Sequence, residues 1–162
     1  MEMIDVFSKA ANSKEFMKKI PQAFDIVKAY RQKLINGDVP IEDLIINKHL
    51  SKNPKHYKQH VSQVIAAEQL IKEGSEVHAG NSVKFVFTHS ENRRHERRVK
   101  AAQLIEDGTN PDIKKYLFLL YTSAANLLSF AGYTAQSVYE AVSRQNQNNL
   151  LGYFKKSGES NG

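Results

Sequence analysis

The sequence predicts an α+β fold that is mostly helical: a helical bundle carrying a small β-sheet. Three observations predict it. Apolar residues recur at helical spacing in two long stretches, residues 16–34 and 113–131. Between them, Val83-Lys84-Phe85-Val86-Phe87 alternates with the period of two that marks a half-buried strand. The composition, 41% hydrophobic and 25% charged over 162 residues, is that of one ordinary folded domain rather than a disordered chain.

Each element follows from local signals. Near the start, Phe16, Ile20, Phe24, Val27 and Leu34 keep close to a 3.6-residue period; Pro21 restarts the pattern and Gly37 ends it. Residues 43–47 contain Leu44-Ile45-Ile46, whose β-branched content suits a buried strand or extended segment. Residues 49–60 are polar and basic around Asn53-Pro54, which predicts a solvent-facing loop. A helix then starts near Ser62, with Val61, Val64, Ala67 and Ile71 on its apolar face, Ile65 and Leu70 at the margins, Glu68 intruding and Gly74 as its stop. Gly80 marks a turn before the alternating strand.

Residues 91–100, ENRRHERRVK, carry five positive side chains and almost nothing to bury, so they are expected to be exposed, as loop or as helix start. Asn110-Pro111-Asp112 supplies an N-cap, a proline at the first helical position and an acid in the first turn. Ile113, Tyr116, Leu117, Leu120, Ala124, Leu127, Leu128 and Ala131 then form the face of a central helix that Gly132 ends. Thr134 caps a last short helix to about residue 143. The body spans residues 1–144, and residues 145–162 form an Asn-, Gln-, Gly- and Ser-rich tail.

Several function classes drop out here. The chain has no cysteine, which removes thiolate zinc sites, iron–sulfur clusters and cysteine nucleophiles. Dinucleotide glycine fingerprints, phosphate-binding loops, nucleophile elbows and H-E-x-x-H do not occur. His56 and His60 stand four apart, but their segment is not expected to be helical and has no acidic third ligand nearby, so no metal and no cofactor is assigned. The longest apolar stretch, residues 116–131, is interrupted by polar residues and is shorter than a membrane span, and Glu2 and Asp5 do not suit a secretory signal. A cytoplasmic protein with no membrane partner is expected. A formal net charge of +6 favours a polyanionic partner.

Two basic stretches are candidates for that partner. Lys52, Lys55 and Lys58 precede a predicted helix start, so ammonium groups and unpaired backbone N–H donors combine into a phosphate site, to which Ser51 and Tyr57 add hydroxyls. A plain solvated loop fits the same charges. Arg93, Arg94, Arg97, Arg98 and Lys100 form a second strip that suits phosphate, a protein partner or a solubilising surface alike. Neither stretch predicts base readout.

In the tail, Gln147, Leu150, Tyr153 and Phe154 fit the pattern Q-x-x-hydrophobic-x-x-aromatic-aromatic, followed by Lys155 and Lys156. Leu150, Tyr153 and Phe154 fall on one side of a single helical or 3₁₀ turn, as an apolar plug. The pattern resembles the sliding-clamp-binding peptide, or PIP box, of replication and repair proteins. That resemblance implies a glutamine in a small polar pocket and the plug in a hydrophobic one. The competing reading folds Tyr153 and Phe154 back onto the body.

A longer resemblance covers residues 34–154. Leu50-Ser51-Lys52, Tyr57-Lys58, Val64, Ala67, Leu70, Gly74, Val77, Gly80, Val83 and Phe85-Val86 follow, without a gap, the pattern of the thumb domain of archaeal-type family B DNA polymerases. Asp112-Ile113-Lys114-Lys115-Tyr116-Leu117, Leu127-Leu128-Ser129-Phe130-Ala131-Gly132-Tyr133 and the terminal peptide are similar to the polymerase C-terminus in order and spacing. Ser62 stands where the family often has proline, Gln63 is a common variant, and ENRRHERRVK has no counterpart. The palm motifs D-x-x-S-L-Y-P and Y-G-D-T-D and the primer-contacting K-K-R-Y motif are absent. Two-metal phosphoryl transfer needs carboxylates of that kind.

The resemblance implies a thumb-like fold and a non-catalytic thumb subunit, separately encoded or separately expressed. It would grip primer-template duplex through Ser51, Lys52, Lys55, Tyr57 and Lys58, with Arg93, Arg94, Arg97 and Arg98 as a second strip. It would tether a catalytic chain bearing palm, fingers and exonuclease to the sliding clamp through Gln147, Leu150, Tyr153 and Phe154. In an archaeal cell it would be associated with the nucleoid. The rival reading is a stand-alone clamp-binding adaptor whose thumb-like body leaves DNA alone, and a hidden enzyme with an unfamiliar site is a third.

Overall fold

The computed structural model describes residues 17–144. In chain order the main elements are helix α1 (Ile20–Asn36), strand β1 (Ile46–His49), helix α2 (Ser62–Lys72), strands β2 (Ser82–Phe87) and β3 (Val99–Ala101), and helix α3 (Ile113–Leu128), followed by helix α4 over residues 135–144. This is the mostly helical α+β fold with a small sheet that the sequence predicts. Two compact units form among the described residues, one from residues 17–36 and 117–144 and the other from Gly37–Tyr116.

The first unit is helical. Ile20, Ala23, Val27 and Leu34 of α1, Leu120, Tyr121, Ala124, Ala125 and Leu128 of α3, and Val138 and Val142 of α4 are buried, so each helix turns one apolar stripe inward. Polar and aromatic contacts fix their register. Arg31 Nε donates to Tyr121 Oη at 2.9 Å, Tyr121 meets Tyr139 edge-on at 5.6 Å, and Phe24 meets Tyr133 at 5.1 Å. Gly132, at a φ of 80°, takes the left-handed conformation that stops the helical turn Ser129–Ala131. Thr134 caps α4 as expected, its Oγ1 accepting from Ser137 N at 3.2 Å while Ser137 Oγ accepts from Thr134 N at 2.7 Å.

The second unit is an antiparallel three-stranded sheet in the order β1-β2-β3 with α2 on one face. Ile46 pairs with Phe85 and His49 with Ser82; Phe85 pairs with Ala101 and Phe87 with Val99. Leu50, Val64, Ile65, Ala66, Ala67, Leu70, Val83, Phe85, Val99 and Ala101 form its core.

Three local expectations are corrected here. The apolar run Leu44-Ile45-Ile46 is a strand only at its end: Leu44 is buried in the 3₁₀ turn Ile41–Leu44, Ile45 is extended, and Ile46 opens β1. β1 is an edge strand, so backbone pairing rather than an apolar pattern sets its position, and Asn47, Lys48 and His49 are exposed. In α2 the buried face is rotated: Ile65, Ala66 and Leu70 are buried while Ile71 is 40% exposed, because the sheet selects the face nearest β2 and β3. The stretch ENRRHERRVK is not wholly exposed. It contains the 3₁₀ turn His95–Arg97 and ends in β3, where Val99 is buried; three residues are too few to leave a periodic signal.

The helix cap before α3 also moves. Asp112, rather than Asn110, is the capping residue, because its Oδ1 accepts from Lys115 N at 3.1 Å. Its Oδ2 accepts from Ser90 N at 2.9 Å and Ser90 Oγ at 2.6 Å, and its own N–H donates to Phe87 O at 2.9 Å. One side chain thereby caps a helix and closes the end of β2. Burial acts to raise the Asp112 carboxyl, but the Ser90 and Lys115 bonds outweigh it and hold the group below its ordinary value. Tyr116 completes the joint. Its hydroxyl accepts from Phe87 N at 3.0 Å and donates to Leu44 O at 2.7 Å, and burial pushes its phenol up to about 12.

Candidate nucleic-acid interface

The first basic stretch lies between β1 and α2 and is braced at both ends. Leu50 N donates to Asn81 O at 2.9 Å and Gly80 N to Leu50 O at 2.7 Å, tying the start of the loop to the turn before β2. At the other end Asn53 caps the 3₁₀ turn Pro54–His56, its side chain accepting from Lys55 N at 3.2 Å. Pro54 is buried, which anchors that turn.

Tyr57 holds the loop together. Its ring packs against the core of the second unit, its hydroxyl accepts from Ser51 N at 2.9 Å and lies 3.1 Å from Ser51 Oγ, and Lys52 Nζ stands 4.9 Å from its ring centroid. The ring face attracts the ammonium by its quadrupole without neutralising it. The Tyr57 phenol is held below its ordinary value, chiefly by the Ser51 side chain; slight burial opposes this, and the Ser51 and Lys52 backbone and the Lys52 charge add to it. Lys55 and Lys58 are exposed and, among the described residues, make no ion pair. Of the sequence candidates, Ser51, Lys52 and Tyr57 are in direct contact, and Lys55 and Lys58 flank them on a fixed backbone.

The second basic stretch lies between β2 and β3 and is organised differently. Arg98 Nε donates to Asn92 O at 2.8 Å, Lys100 is paired with Glu106, and Arg94 N donates to Asn92 Oδ1 at 2.9 Å. Arg93, Arg94 and Arg97 have exposed side chains. Glu96 sits among them with its carboxyl held below the ordinary range, first by its own backbone N–H and then, against slight burial, by His95, Arg94 and Arg97. Glu96 within the strip and Glu106 beside Lys100 offset part of its positive charge.

Gln69 of α2 fixes this second stretch, and nothing in the sequence singles it out. Its Nε2 donates to Glu96 O at 3.1 Å and Val99 O at 2.8 Å, and its Oε1 accepts from Ala101 N at 2.8 Å. Beside it, the rings of His60 and His95 stack at 3.6 Å, bringing the two basic segments next to each other. His60 thus meets His95 rather than acting with His56. A hollow of about 500 Å³ on the same unit is lined by both charge types, among them Glu96, Arg97, Lys100, Glu106 and Asp107. The tail residues Gln147, Leu150, Tyr153 and Phe154 lie outside the described residues. Among the described residues no helix is long and apolar enough to cross a membrane.

The search of curated proteins found no match. Among solved structures, the chain is similar to the family B DNA polymerase from the hyperthermophilic archaeon Pyrobaculum calidifontis, with a TM-score of 0.61 and 22% identity over 78% of this chain and 16% of that one. The chain thus spans about one-sixth of that polymerase, a likeness that concerns the fold. The family model for DNA polymerase family B matches residues 2–130, most of the chain, and the chain belongs to DNA polymerase family B.

Proposed function

We propose that this chain acts as a non-catalytic thumb subunit of a family B DNA polymerase: it grips primer-template duplex and tethers the polymerase to the sliding clamp. Membership of the polymerase family supplies the context. The observation that carries the reading is the braced basic loop, in which Ser51 and Tyr57 lock the backbone while Lys52, Lys55 and Lys58 keep their charges toward solvent.

Each of these lysines can displace one condensed counterion from a duplex phosphate, and a fixed backbone reduces the ordering cost of doing so. The Ser51 and Tyr57 hydroxyls offer further phosphate contacts. Grip slows release. The tail peptide Gln147–Phe154 would then make rebinding intramolecular through a clamp, which is the physical content of processivity. Bond formation is assigned to a catalytic partner carrying palm, fingers and exonuclease, because metal-dependent phosphoryl transfer needs carboxylates that hold the ions near the triphosphate.

The test is salt-dependent binding of a labelled primer-template duplex, read by fluorescence anisotropy. Replacing Lys52, Lys55 and Lys58 together by alanine should reduce the slope of log affinity against log salt by about 2.7, at ~0.9 per phosphate contact, and lower affinity more than about tenfold at low salt. An unchanged slope overturns the DNA-gripping reading and leaves the clamp-binding adaptor. In a second arm, Tyr153→Ala with Phe154→Ala should leave duplex affinity intact and abolish clamp binding in a calorimetric titration; retained clamp binding overturns the tether.

A further inference from the structure

His60 and Glu68, eight residues apart at the start and on the second turn of α2, meet His95 from the distant β2–β3 segment on one side of that helix. His60 directly precedes the helix, Glu68 lies on its second turn, and His95 opens the 3₁₀ turn before β3. Their ligand atoms, one imidazole nitrogen from each histidine and one carboxylate oxygen, all lie within 4.8 Å of one another. We propose that these three side chains form a binding site for a divalent transition-metal ion of the zinc type, which fastens the β1–α2 loop to the β2–β3 segment. The inference is independent of the DNA-gripping role.

The donor set fits the ion. Two imidazoles and one carboxylate are the ligands that borderline cations such as zinc take where a fourth, open position is left to water. With metal–nitrogen distances of about 2.0–2.1 Å, tetrahedral ligand atoms stand roughly 3.3 Å apart, so the group must draw in by at most about 1.5 Å. His60 is exposed and can make that adjustment by rotating its side chain. Ring planes now 12° from parallel must splay, because a metal binds imidazole in the plane of the ring.

The remainder of the site is already held in place. Gln69, next to Glu68 on the helix, bonds the carbonyls of Glu96 and Val99, fixing the turn that carries His95 against the helix that carries Glu68. Glu96 Oε2 stands 3.9 Å from His95 Nδ1, too far for a hydrogen bond, and places a second negative charge beside the site. Arg94 and Arg97, close enough to influence Glu96, oppose cation binding. Glu68 and Glu96 offset them.

Zinc binding to the full chain, measured by competition with a chromophoric chelator and by calorimetry, tests the site. One ion per chain should bind to the wild type. His60→Ala, Glu68→Gln and His95→Ala should each weaken binding at least about tenfold, since loss of even an outer-shell partner costs about 10–100-fold. His56→Ala serves as the control for adventitious surface histidines and should leave affinity unchanged. Far-UV circular dichroism confirms that each variant is folded; His60, being exposed, provides a variant whose folding is not at issue. Absence of stoichiometric binding, equal affinity in wild type and the three ligand variants, or a loss in His56→Ala as large as in His60→Ala would each overturn the proposal.

Discussion

The two basic segments of the sheet-bearing unit, one with three lysines and the other with four arginines and Lys100, have opposite construction. Between β1 and α2 the brace is made of uncharged groups: the Tyr57 hydroxyl takes the Ser51 N–H, and the Asn53 side chain takes the Lys55 N–H. Lysine charges are left toward solvent. Between β2 and β3 charged side chains do the bracing, Arg98 through Asn92 O and Lys100 through Glu106, while Glu96 offsets its neighbours. Counting Lys and Arg in a sequence therefore overstates the binding capacity of the second segment. What matters is how many cations are left without a carboxylate beside them once the chain has folded.

The largest effect expected from breaking this contrast is at Gln69. Replacing it with leucine removes the donor to the Glu96 and Val99 carbonyls and the acceptor for Ala101 N–H, and should cost about 1–3 kcal/mol in urea unfolding because part-buried backbone groups lose their partners. A change below a few tenths of a kcal/mol would mean that water replaces Gln69 and that it does not organise the second segment.

A smaller effect separates two arginines of one strip. Arg98→Ala should lower stability by about 1 kcal/mol through loss of its bond to Asn92 O, whereas Arg93→Ala, at an exposed side chain, should leave the unfolding midpoint in place. Equal effects at the two positions would dissolve the distinction between structural and free cations.

The smallest effect is a titration. The folded Tyr57 phenol lies below its unfolded value, so the unfolded chain keeps that proton to higher pH and the contribution to stability grows as pH rises toward the ordinary phenol range. Ser51→Ala removes the largest cause, and ring-carbon NMR should show the Tyr57 midpoint moving up. An unmoved midpoint would show that the hydroxyl pair does not brace the loop. Tyr116 behaves in the opposite sense: its phenol is pushed up to about 12, so its stabilising contribution is present at neutral pH and is lost as pH rises from ~10 toward that value.

Much of the fold was legible because it rests on short-range regularities. The apolar period of α1 and α3, the alternation in β2, the Gly132 stop and the Thr134 cap are each encoded within a few neighbouring residues, and each is present. Of the apolar run Leu44-Ile45-Ile46, Ile45 is extended and Ile46 opens β1 as expected, but Leu44 misled because a buried 3₁₀ turn and a buried strand make the same demand for apolar side chains. β3 escaped notice because its three residues acquire their conformation from β2 and Gln69.

For the candidate interface, the sequence by itself determined which residue types were available: lysines around Asn53-Pro54, arginines over residues 93–98, and a polymerase-like order of motifs recognisable along the chain. Only the tertiary structure decided their use. The Ser51–Tyr57 pair spans six residues, the Gln69–Ala101 bond thirty-two, and the His60–His95 stack joins two separate loops. Local pattern reports the conformational preference of neighbouring residues. Which cations are free and which histidines meet depends on chain closure over long separations, and the burial of α2 against the sheet drives that closure.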